Sequence, residues 1–372
     1  MKCNPTFAVL GAGNGGVATA ADLTVRGFDV HLWEHPDYVE NIKPLQKIGG
    51  IELEVLPSSK LKEGFAKVKL ITTDMEKALE GVDVVLIIVP SFAHKSFAEQ
   101  CVPYLRDNQV VIIAPGNFGG AIQFYNTFRQ NGKAKGVIFA EAECMIYACR
   151  KKSPTKIWIR GYKRGLRIAA LPSKNNYKVM ELIQHAYPEV LPGNNVIETG
   201  LSNPNPIQHT PIMILNAGLI DRTKGDFLFY HEGMTPLISK VIETIDDERI
   251  AIGTVLKTKM RSMYEQDIEW YGHQGAKGDN IYESTLNNSL YQWSKAPSSF
   301  QHRYLTEDIP YGLAAIEELG LKFGVPTPIT TSMINIAELL VGKNLREERR
   351  SLDKLGLGQK KANEIIAFVH EG

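Results

Sequence analysis

The chain has 372 residues, and its 42 Lys and Arg nearly cancel its 41 Asp and Glu. This length predicts two domains, because single hydrophobic cores stop growing near ~250 to 300 residues. The charge balance excludes a strong field that would attract nucleic acid or an anionic membrane, and a composition of 44% hydrophobic and 22% charged residues is that of a folded protein.

The first half of the chain alternates short β-branched runs with helical patterns. It begins with the strand FAVL, the helix VATAADLTVRG and the strand DVHLW. This alternation indicates βαβ units around a doubly wound, mostly parallel sheet, so we expect an α/β domain. Three nearly continuous apolar runs predict further buried strands, and two later runs are expected to extend the same sheet: VDVVLIIV (82–89), QVVIIA (109–114) and KGVIFA (135–140), then KIWIRG and GLRIAALP.

The pattern changes to helical periods near residue 190. The run NNVIETG (194–200) is the last that predicts a strand, and the segments after it predict an all-α second domain. We place the α/β domain at 1–190 and the helical domain at 191–372. Helices are expected over PIMILNAGLIDR, from Met234 to Tyr264, and over PYGLAAIEELGLKFG, PITTSMINIAELLVG and QKKANEIIAFVHEG.

The spacing of the cysteines and the length of the apolar runs predict where in the cell the protein is located. The four cysteines lack metal-ligand spacing, which predicts reduced thiols and no metal site. The longest apolar run, VDVVLIIVP, is far shorter than the ~18 to 20 residues of a membrane span. We expect a cytoplasmic protein without nucleic-acid or membrane partners, and a homodimer stays open. The cysteines are Cys3, Cys101, Cys144 and Cys149.

A glycine-rich turn follows the first strand. GAGNGG places three glycines in the GxGxxG spacing between a strand and a helix. Glycines at these positions allow a tight turn, a close approach of a pyrophosphate to the backbone and close packing of the helix against the sheet. The start of the helix offers amides to phosphates. We therefore predict a Rossmann domain that binds NAD or NADP, although such a turn can also be purely structural. The predicted cofactor residues lie in this turn and in the VPSFAH loop (89–94): Gly11, Gly13, Asn14, Gly15, Gly16, Pro90 and Ser91.

Glu34 ends the second predicted strand. A carboxylate there would accept hydrogen bonds from the adenosine ribose and would repel a 2′-phosphate, which favours NAD slightly over NADP. His35 and Arg26 are nearby in sequence and could still accept a 2′-phosphate. Both cofactors therefore stay open.

Two later segments combine polar residues with prolines. In NPNPIQHTP the prolines predict an extended, stiff segment around His209, and a fixed imidazole suits proton transfer near a nicotinamide. RYLTEDIPYGL places Arg303 and Asp308 before Pro310. Both segments are also consistent with ordinary helix entrances, in which Thr306 or Asp308 would be the N-cap. Local physics alone leaves both interpretations open.

Six motifs together resemble the opine dehydrogenase family, which includes octopine, nopaline and carboxyethyl-norvaline dehydrogenases. They are GxGNGG, VPSFAH, APGNFGG, AEAECMIYACR, NPNPIQHTP and RYLTEDIPYGL, in this order, and LGLG (355–358) extends the match over nearly the whole chain. The resemblance implies a Rossmann domain followed by an all-α domain, with the active site in the cleft between them. It also implies that an α-keto acid and an amino group form an imine, which NADH or NADPH reduces to a secondary amine.

The resemblance also assigns site residues. His209 resembles the catalytic histidine of the family and Asp308 its carboxylate partner. Arg303 looks like the arginine that receives the keto-acid carboxylate. Asn205 matches an asparagine near the substrate.

The segment AEAECMIYACR departs from the ETxxxPYACR pattern that is common in the family. Glu141 and Cys149 match, whereas Ile146 replaces the proline and Glu143 adds a charge. In the family this region contributes to the amino-substrate pocket, so Glu141 and Cys149 are expected there and the identity of the amine stays open. Cys149 could equally be a plain buried thiol.

Two other functions compete with an opine dehydrogenase. Keto-acid, hydroxy-acid and glycerol-3-phosphate dehydrogenases share the two-domain plan, but they rely on a lysine where these motifs supply His209 and Asp308. A sensor that binds NAD without chemistry is the second alternative. It leaves the combined histidine, arginine and aspartate motifs unexplained.

Overall fold

The computed structural model describes residues 4–372, so the thiol expected at Cys3 lies outside the described residues. The described chain divides into two compact units. The first runs up to Gly116, continues over Gly120–Val196 and includes His370–Gly372, and the second comprises Asn117–Gly119 and Ile197–Val369. The boundary between residues 190 and 191 remains a prediction about independently folding domains.

The main sheet of the first unit has eight strands in the order β12-β11-β8-β7-β6-β1-β2-β5. Six neighbouring strands of this sheet pair in parallel, in the spatial order β5-β2-β1-β6-β7-β8. Strand β11 runs antiparallel to β8. The central strands are buried along their whole length, as their continuous apolar runs predict. The strands are β1 (Phe7–Leu10), β2 (Val30–Trp33), β5 (Leu70–Thr72), β6 (Val84–Ile87), β7 (Val110–Ile113), β8 (Ile138–Ala142), β11 (Arg167–Leu171) and β12 (Leu191–Pro192).

A second sheet of four strands lies in the same unit, in the order β4-β3-β10-β9. The prediction that KIWIRG extends the main sheet is wrong, because this run is β10. Its alternation of buried Ile157 and Ile159 with half-buried neighbours is typical of a sheet with one wet face, whereas the main sheet has continuous apolar strands. The strands are β3 (Ile51–Val55), β4 (Gly64–Ala66), β9 (Tyr147–Ser153) and β10 (Lys156–Tyr162).

Helices flank the strands of the first unit and make up nearly all regular structure of the second. In the second unit, the described strand pairing is a single bridge between Leu228 and Lys295. In the described chain, no helix is both long enough and apolar enough to cross a membrane. The helices up to residue 183 are α1 (Asn14–Val25), α2 (Lys43–Ile48), α3 (Met75–Leu79), α4 (His94–Cys101), α5 (Gly120–Asn131) and α6 (Asn176–Ile183). Those that follow are α7 (Val196–Leu201), α8 (Asn205–Leu215), α9 (Ala217–Thr223), α10 (Pro236–Val255), α11 (Met263–Tyr271), α12 (Ile281–Asn287), α13 (Arg303–Thr306), α14 (Ala314–Phe323), α15 (Pro328–Val341) and α16 (Ala362–Glu371).

In the second half, one strand prediction is wrong and one predicted helical span is interrupted. The run NNVIETG forms α7 and no strand, because Asn195 followed by Glu198 is the residue pattern of a helix start, which here outweighs the β propensity of valine and isoleucine. The helical span expected from Met234 to Tyr264 is interrupted, because α10 ends at Val255 and α11 begins at Met263. Ser262 and Glu265 form a capping box that starts α11 afresh.

Candidate active site

The glycine turn connects β1 to α1 and is tightly packed. A Cβ on Gly11, where φ is +104°, would lie 2.7 Å from the carbonyl oxygen of Ile88, and one on Gly16 would lie 1.7 Å from the carbonyl oxygen of Gly11. A Cβ on Gly13 would instead meet open space within 4 Å. The first helical residue, Asn14, has no side-chain cap before it. Because the first amides of a helix lack intrahelical partners, the turn fits the phosphates of a dinucleotide.

Asn14 fastens this turn to the second sheet. Its Oδ1 accepts a hydrogen bond from the backbone N–H of Lys151 (2.8 Å), and its carbonyl oxygen accepts one from Cys149 Sγ (3.4 Å). Gly15 packs against Met145, whose Cε would lie 2.1 Å from a Cβ at that position. Cys149, predicted to lie at the amine, thus lies beside a predicted cofactor residue.

Glu34 turns its carboxylate toward the protein at the end of β2. Oε2 accepts from the N–H of Ala12 (3.1 Å) and from Asn41 Nδ2 (3.0 Å), and Oε1 accepts from the N–H of His35 (2.9 Å). The side chain is buried. Glu34 therefore links β2 to the glycine turn, and its predicted contact with the ribose would add to these bonds.

Arg26, one of the two residues that could accept a 2′-phosphate, is held by several groups of the protein. Its Nε lies 2.7 Å from Asp22 Oδ2, and Nη1 donates to the carbonyl oxygen of Ala186 (2.9 Å). The guanidinium also lies over the rings of Tyr162 and Tyr187. Arg26 therefore already contacts other groups of the protein, and its contact with a 2′-phosphate stays a prediction.

The other candidate, His35, lies next to an exposed carboxylate. His35 Nδ1 accepts a hydrogen bond from the backbone of Asp37 at 3.1 Å and lies 3.6 Å from its Oδ2. This carboxylate offsets any positive charge on the ring.

Pro90 and Ser91 follow β6 at the edge where the glycine turn follows β1. The two strands pair in parallel, so the loops at their carboxyl ends are neighbours, and Val89 Cγ1 packs 2.6 Å from the position of a Cβ on Gly11. Ser91 is buried at the start of a short 3-10 helix. Their cofactor contacts stay predictions.

Glu141 lies in β8 and is fully buried. Its Oε2 accepts from the N–H of Ala121 in the first turn of α5 (2.9 Å), where a carboxylate is favourable for the helix dipole. A Cβ on Gly116 would lie 1.8 Å from Glu141 Cγ, so glycine makes room for this side chain. Burial raises the pKa of the other predicted amine-pocket residue, Cys149, to about 12. Cys149 is therefore a neutral thiol at physiological pH.

His209 and Asp308 meet in the second unit. Nδ1 of His209 lies 2.7 Å from Oδ2 of Asp308, and each side chain is only 7% exposed. A carboxylate can only accept, so Nδ1 carries the proton and donates it. The tautomer is thereby fixed, and Nε2 is the nitrogen available for proton exchange.

Helix α8 carries His209 one turn after its start. The prediction that prolines hold His209 in an extended segment is therefore wrong. Pro206 occupies the first turn, where its missing N–H would have no helical partner, and Pro211 inside the helix costs one hydrogen bond. Nine successive buried residues of α8 offset that loss.

Asp308 stands between α13 and a π-helical turn, Ile309–Leu313, and makes no capping hydrogen bond. Asp308 therefore occupies the N-cap position of this turn, but its side chain does not cap it. The cap of α13 is His302, which accepts from the backbone two residues later. A Cβ on Gly312 would lie 2.2 Å from Pro206 Cγ, so glycine lets the π-helical turn approach the start of α8. π-helical turns occur frequently at functional sites.

Two tyrosines complete the surroundings of His209. The hydroxyl of Tyr230 lies 2.8 Å from Nε2 and donates to it, and the ring of Tyr304 stacks on the imidazole with centroids 3.8 Å apart. Burial and then Tyr304 raise the pKa of Tyr230 well above its usual value, so it stays a phenol. The bridge between Leu228 and Lys295 holds the segment that carries Tyr230.

Arg303 and Asn205 make other contacts. Arg303 starts α13 with its side chain 56% exposed, and its Nη2 lies 3.2 Å from Oε2 of the buried Glu307. The N–H of Asn205 donates to Asn203 Oδ1 (3.1 Å), and Asn203 Nδ2 donates to Asn117 Oδ1. The structure brings His209 and Asp308 into direct contact, whereas the substrate roles of Arg303 and Asn205 stay predictions.

Sequence reasoning missed Tyr230 and Lys151. Tyr230 lies in DFLFYHEG, which has no helical or strand period and carries only an aromatic cluster as a signal. Lys151 lies in a run of three cations, Arg150 to Lys152, on a strand of the second sheet. Neither has a spacing that indicates chemistry.

Two family models match the chain. The first, described as "NAD-dependent glycerol-3-phosphate dehydrogenase N-terminus", matches residues 6–130, and the second, "NAD/NADP octopine/nopaline dehydrogenase, alpha-helical domain", matches residues 192–341. These matches confirm a nucleotide-binding α/β domain followed by a helical domain.

Solved structures show the same fold. Octopine dehydrogenase with NADH and L-arginine aligns with a TM-score of 0.77 at 20% identity and covers 99% of both chains. Yersinopine dehydrogenase with NADP+ bound aligns with a TM-score of 0.70 at 13% identity, over 100% of this chain and 99% of that one.

Similarity in sequence identifies the family of the chain as well as its fold. The opine dehydrogenase of Haliotis discus hannai is 27% identical over 91% of each chain. That of Arthrobacter sp. (strain 1C) is 34% identical over 352 residues, which is 95% of each chain. The chain therefore belongs to the opine dehydrogenase family, and it is an NAD(P)-dependent oxidoreductase of the CH–NH class that reductively condenses an α-keto acid with an amino compound.

Proposed function

We propose that the pair His209–Asp308 performs the acid–base chemistry of this condensation, with a short α-keto acid such as pyruvate as the carbonyl substrate. The buried contact of 2.7 Å between the two side chains carries the proposal. Pyruvate is the keto acid named for an octopine dehydrogenase structure of the same fold.

The reaction needs a proton donor at one step and an acceptor at others. The amine attacks the keto carbon, and the resulting carbinolamine loses its hydroxyl as water once that oxygen is protonated. The bound cofactor supplies the hydride that reduces the C=N bond. His209 is the source of the proton that the departing hydroxyl receives, and Asp308 stabilises the imidazolium that exists before this transfer.

Tyr230 connects His209 to the reacting groups in this proposal. Its hydroxyl forms a hydrogen bond with Nε2, the ring nitrogen that does not contact Asp308. The proton of the imidazolium passes to the Tyr230 oxygen while the phenolic proton passes to the substrate, so the phenol is restored and no phenolate accumulates. The raised pKa of Tyr230 is consistent with this concerted route, because burial disfavours a free phenolate.

Arg303 receives the keto-acid carboxylate. Its side chain is more than half exposed at the start of α13, so its guanidinium is accessible to a ligand. Two parallel hydrogen bonds to the carboxylate would fix the orientation of the keto carbon. Glu307 holds the guanidinium from the buried side.

The remaining predicted substrate residues are proposed to serve the amine. Glu141 and Cys149 lie in β8 and β9, and Asn205 starts α8 one turn before His209. An octopine dehydrogenase structure contains L-arginine and another contains agmatine, which makes amino acids and simple amines the first class to test.

A matrix of keto acids and amines tests the reaction. NADH and NADPH oxidation is followed with pyruvate, glyoxylate or oxaloacetate against amino acids and polyamines, and turnover should require both substrates. Turnover of a keto acid without an amine would favour a hydroxy-acid dehydrogenase. Cofactor binding without any turnover would favour a sensor.

The variant His209→Ala tests the residue assignment. We expect a loss of about 10²- to 10⁴-fold in kcat, with the Kd of NADH kept within a factor of about two. A variant as fast as the wild type would remove His209 from the mechanism.

The proposal extends to location and assembly. We expect a cytoplasmic enzyme, since the three described cysteines, Cys101, Cys144 and Cys149, are free. A homodimer is the proposed assembly, and sedimentation at micromolar concentration distinguishes it from a monomer.

A further inference from the structure

Lys151 lies against the glycine turn although it belongs to the second sheet. Its backbone N–H donates to Asn14 Oδ1 (2.8 Å), and its Nζ donates to the carbonyl oxygen of Ala12 (2.8 Å). An ammonium has three N–H donors, so the carbonyl uses one of them. Strand β9 therefore holds a half-buried cation at the turn that fits the cofactor phosphates.

The charges around Lys151 favour an anionic ligand. Burial lowers the pKa of its ammonium, and the charge of Glu34 raises it. Both oxygens of Glu34, however, accept bonds from uncharged N–H groups of Ala12, His35 and Asn41. A partly desolvated ammonium beside a helix N-terminus is stabilised when an anion completes its coordination.

We propose that Lys151 is a cofactor-binding residue whose ammonium receives a phosphate of the adenosine half of NAD(P). Ala12 and Glu34 mark the end of the turn where the adenosine ribose binds in Rossmann domains. The ammonium at Ala12 is therefore placed for the 5′-diphosphate or, in NADP, for the 2′-phosphate. The proposal depends on dinucleotide binding alone and not on the roles proposed for His209 and Asp308.

Competitive displacement of NADH by small adenosine ligands tests the proposal without turnover. The protein is loaded with NADH, and the loss of bound-NADH fluorescence is titrated with adenosine, 5′-AMP, ADP and adenosine 2′,5′-bisphosphate. In Lys151→Met, we expect the affinity for at least one phosphate-bearing ligand to fall about tenfold or more, the scale of one charge-assisted hydrogen bond, while adenosine changes less than about twofold. A loss for 5′-AMP or ADP locates the 5′-phosphates, and a loss confined to the 2′,5′-bisphosphate locates the 2′-phosphate and predicts use of NADPH.

Two further variants separate binding from structure. Lys151→Arg keeps the charge and should retain most of the phosphate affinity. Lys152→Met is the matched control, because the neighbouring Lys152 pairs with Glu54 and should leave all four ligands unchanged. The proposal is overturned if Lys151→Met changes no phosphate-bearing ligand, or if it weakens adenosine as much as the others.

Discussion

Replacing Asp308 by asparagine should slow the enzyme without unfolding it. The imidazolium charge is spread over the ring, about 4 Å from the carboxylate, where an effective dielectric constant of about 20 gives an attraction of about 4 kcal/mol. Losing that attraction depletes the imidazolium, the form of His209 that donates the proton, and a loss of about 4 kcal/mol corresponds to a fall in kcat of about 10³-fold. Asparagine keeps the shape and can accept from Nδ1 of His209, so the free energy of unfolding should change by only about 1 kcal/mol.

The measurement is kcat per folded molecule, with circular dichroism and denaturant unfolding as the stability readout. Asp246→Asn is the matched control, because Asp246 is also a buried carboxylate but holds Arg249 (2.6 Å) and the N–H of Met263 (2.7 Å). The control should lose about 3 kcal/mol of stability and keep its turnover. If Asp308→Asn keeps kcat within about fivefold of wild type, the electrostatic role of Asp308 is wrong.

Three further changes report on neighbouring residues. Tyr230→Phe should lower kcat about tenfold or more at unchanged NADH affinity, because His209 loses the hydroxyl that passes its proton to the substrate. Steady-state kinetics measure this, and an unchanged kcat would exclude proton transfer through Tyr230. Arg303→Lys keeps a charge beside Glu307 but loses the planar fork, so the KM for the keto acid should rise about tenfold while that for the amine stays, and equal rises in both would contradict the assignment. Cys149 should resist iodoacetamide at pH 7 to 8, because a thiol with a raised pKa of about 12 gains its reactive thiolate only as pH approaches that value; rapid labelling of the folded protein, read by mass spectrometry, would contradict this.

The parts of the fold set by short-range patterns could be predicted from the sequence. The glycine turn follows from three glycines between a strand and a helix, and the strands of the main sheet follow from continuous apolar runs. β10 was assigned to the wrong sheet because its partners β3 and β9 come from distant parts of the chain. Pairing between such segments is not encoded in either run alone.

In the candidate site, too, local sequence patterns do not predict the contacts that depend on tertiary structure. The residues His209 and Asp308 came from a family resemblance, and no local pattern predicts their contact across 99 positions. The helix around His209 was missed because proline penalties are local, whereas the burial that outweighs them is tertiary. The contact of Tyr230 with His209 could not be predicted, since the segment that carries Tyr230 is held by a bridge between the distant residues Leu228 and Lys295.

The contact of Asn14 with the second sheet has a thermodynamic consequence. Cys149, a proposed amine-side residue, donates to the carbonyl oxygen of Asn14, the first residue of the helix proposed to bind the cofactor phosphates, so Asn14 is proposed to adjoin both ligands. If a bound dinucleotide shifts Asn14, it changes the free energy of amine binding through Cys149. Reciprocity then requires that the amine change the dinucleotide affinity by the same factor, so a measured Kd for NADH would depend on the amine present.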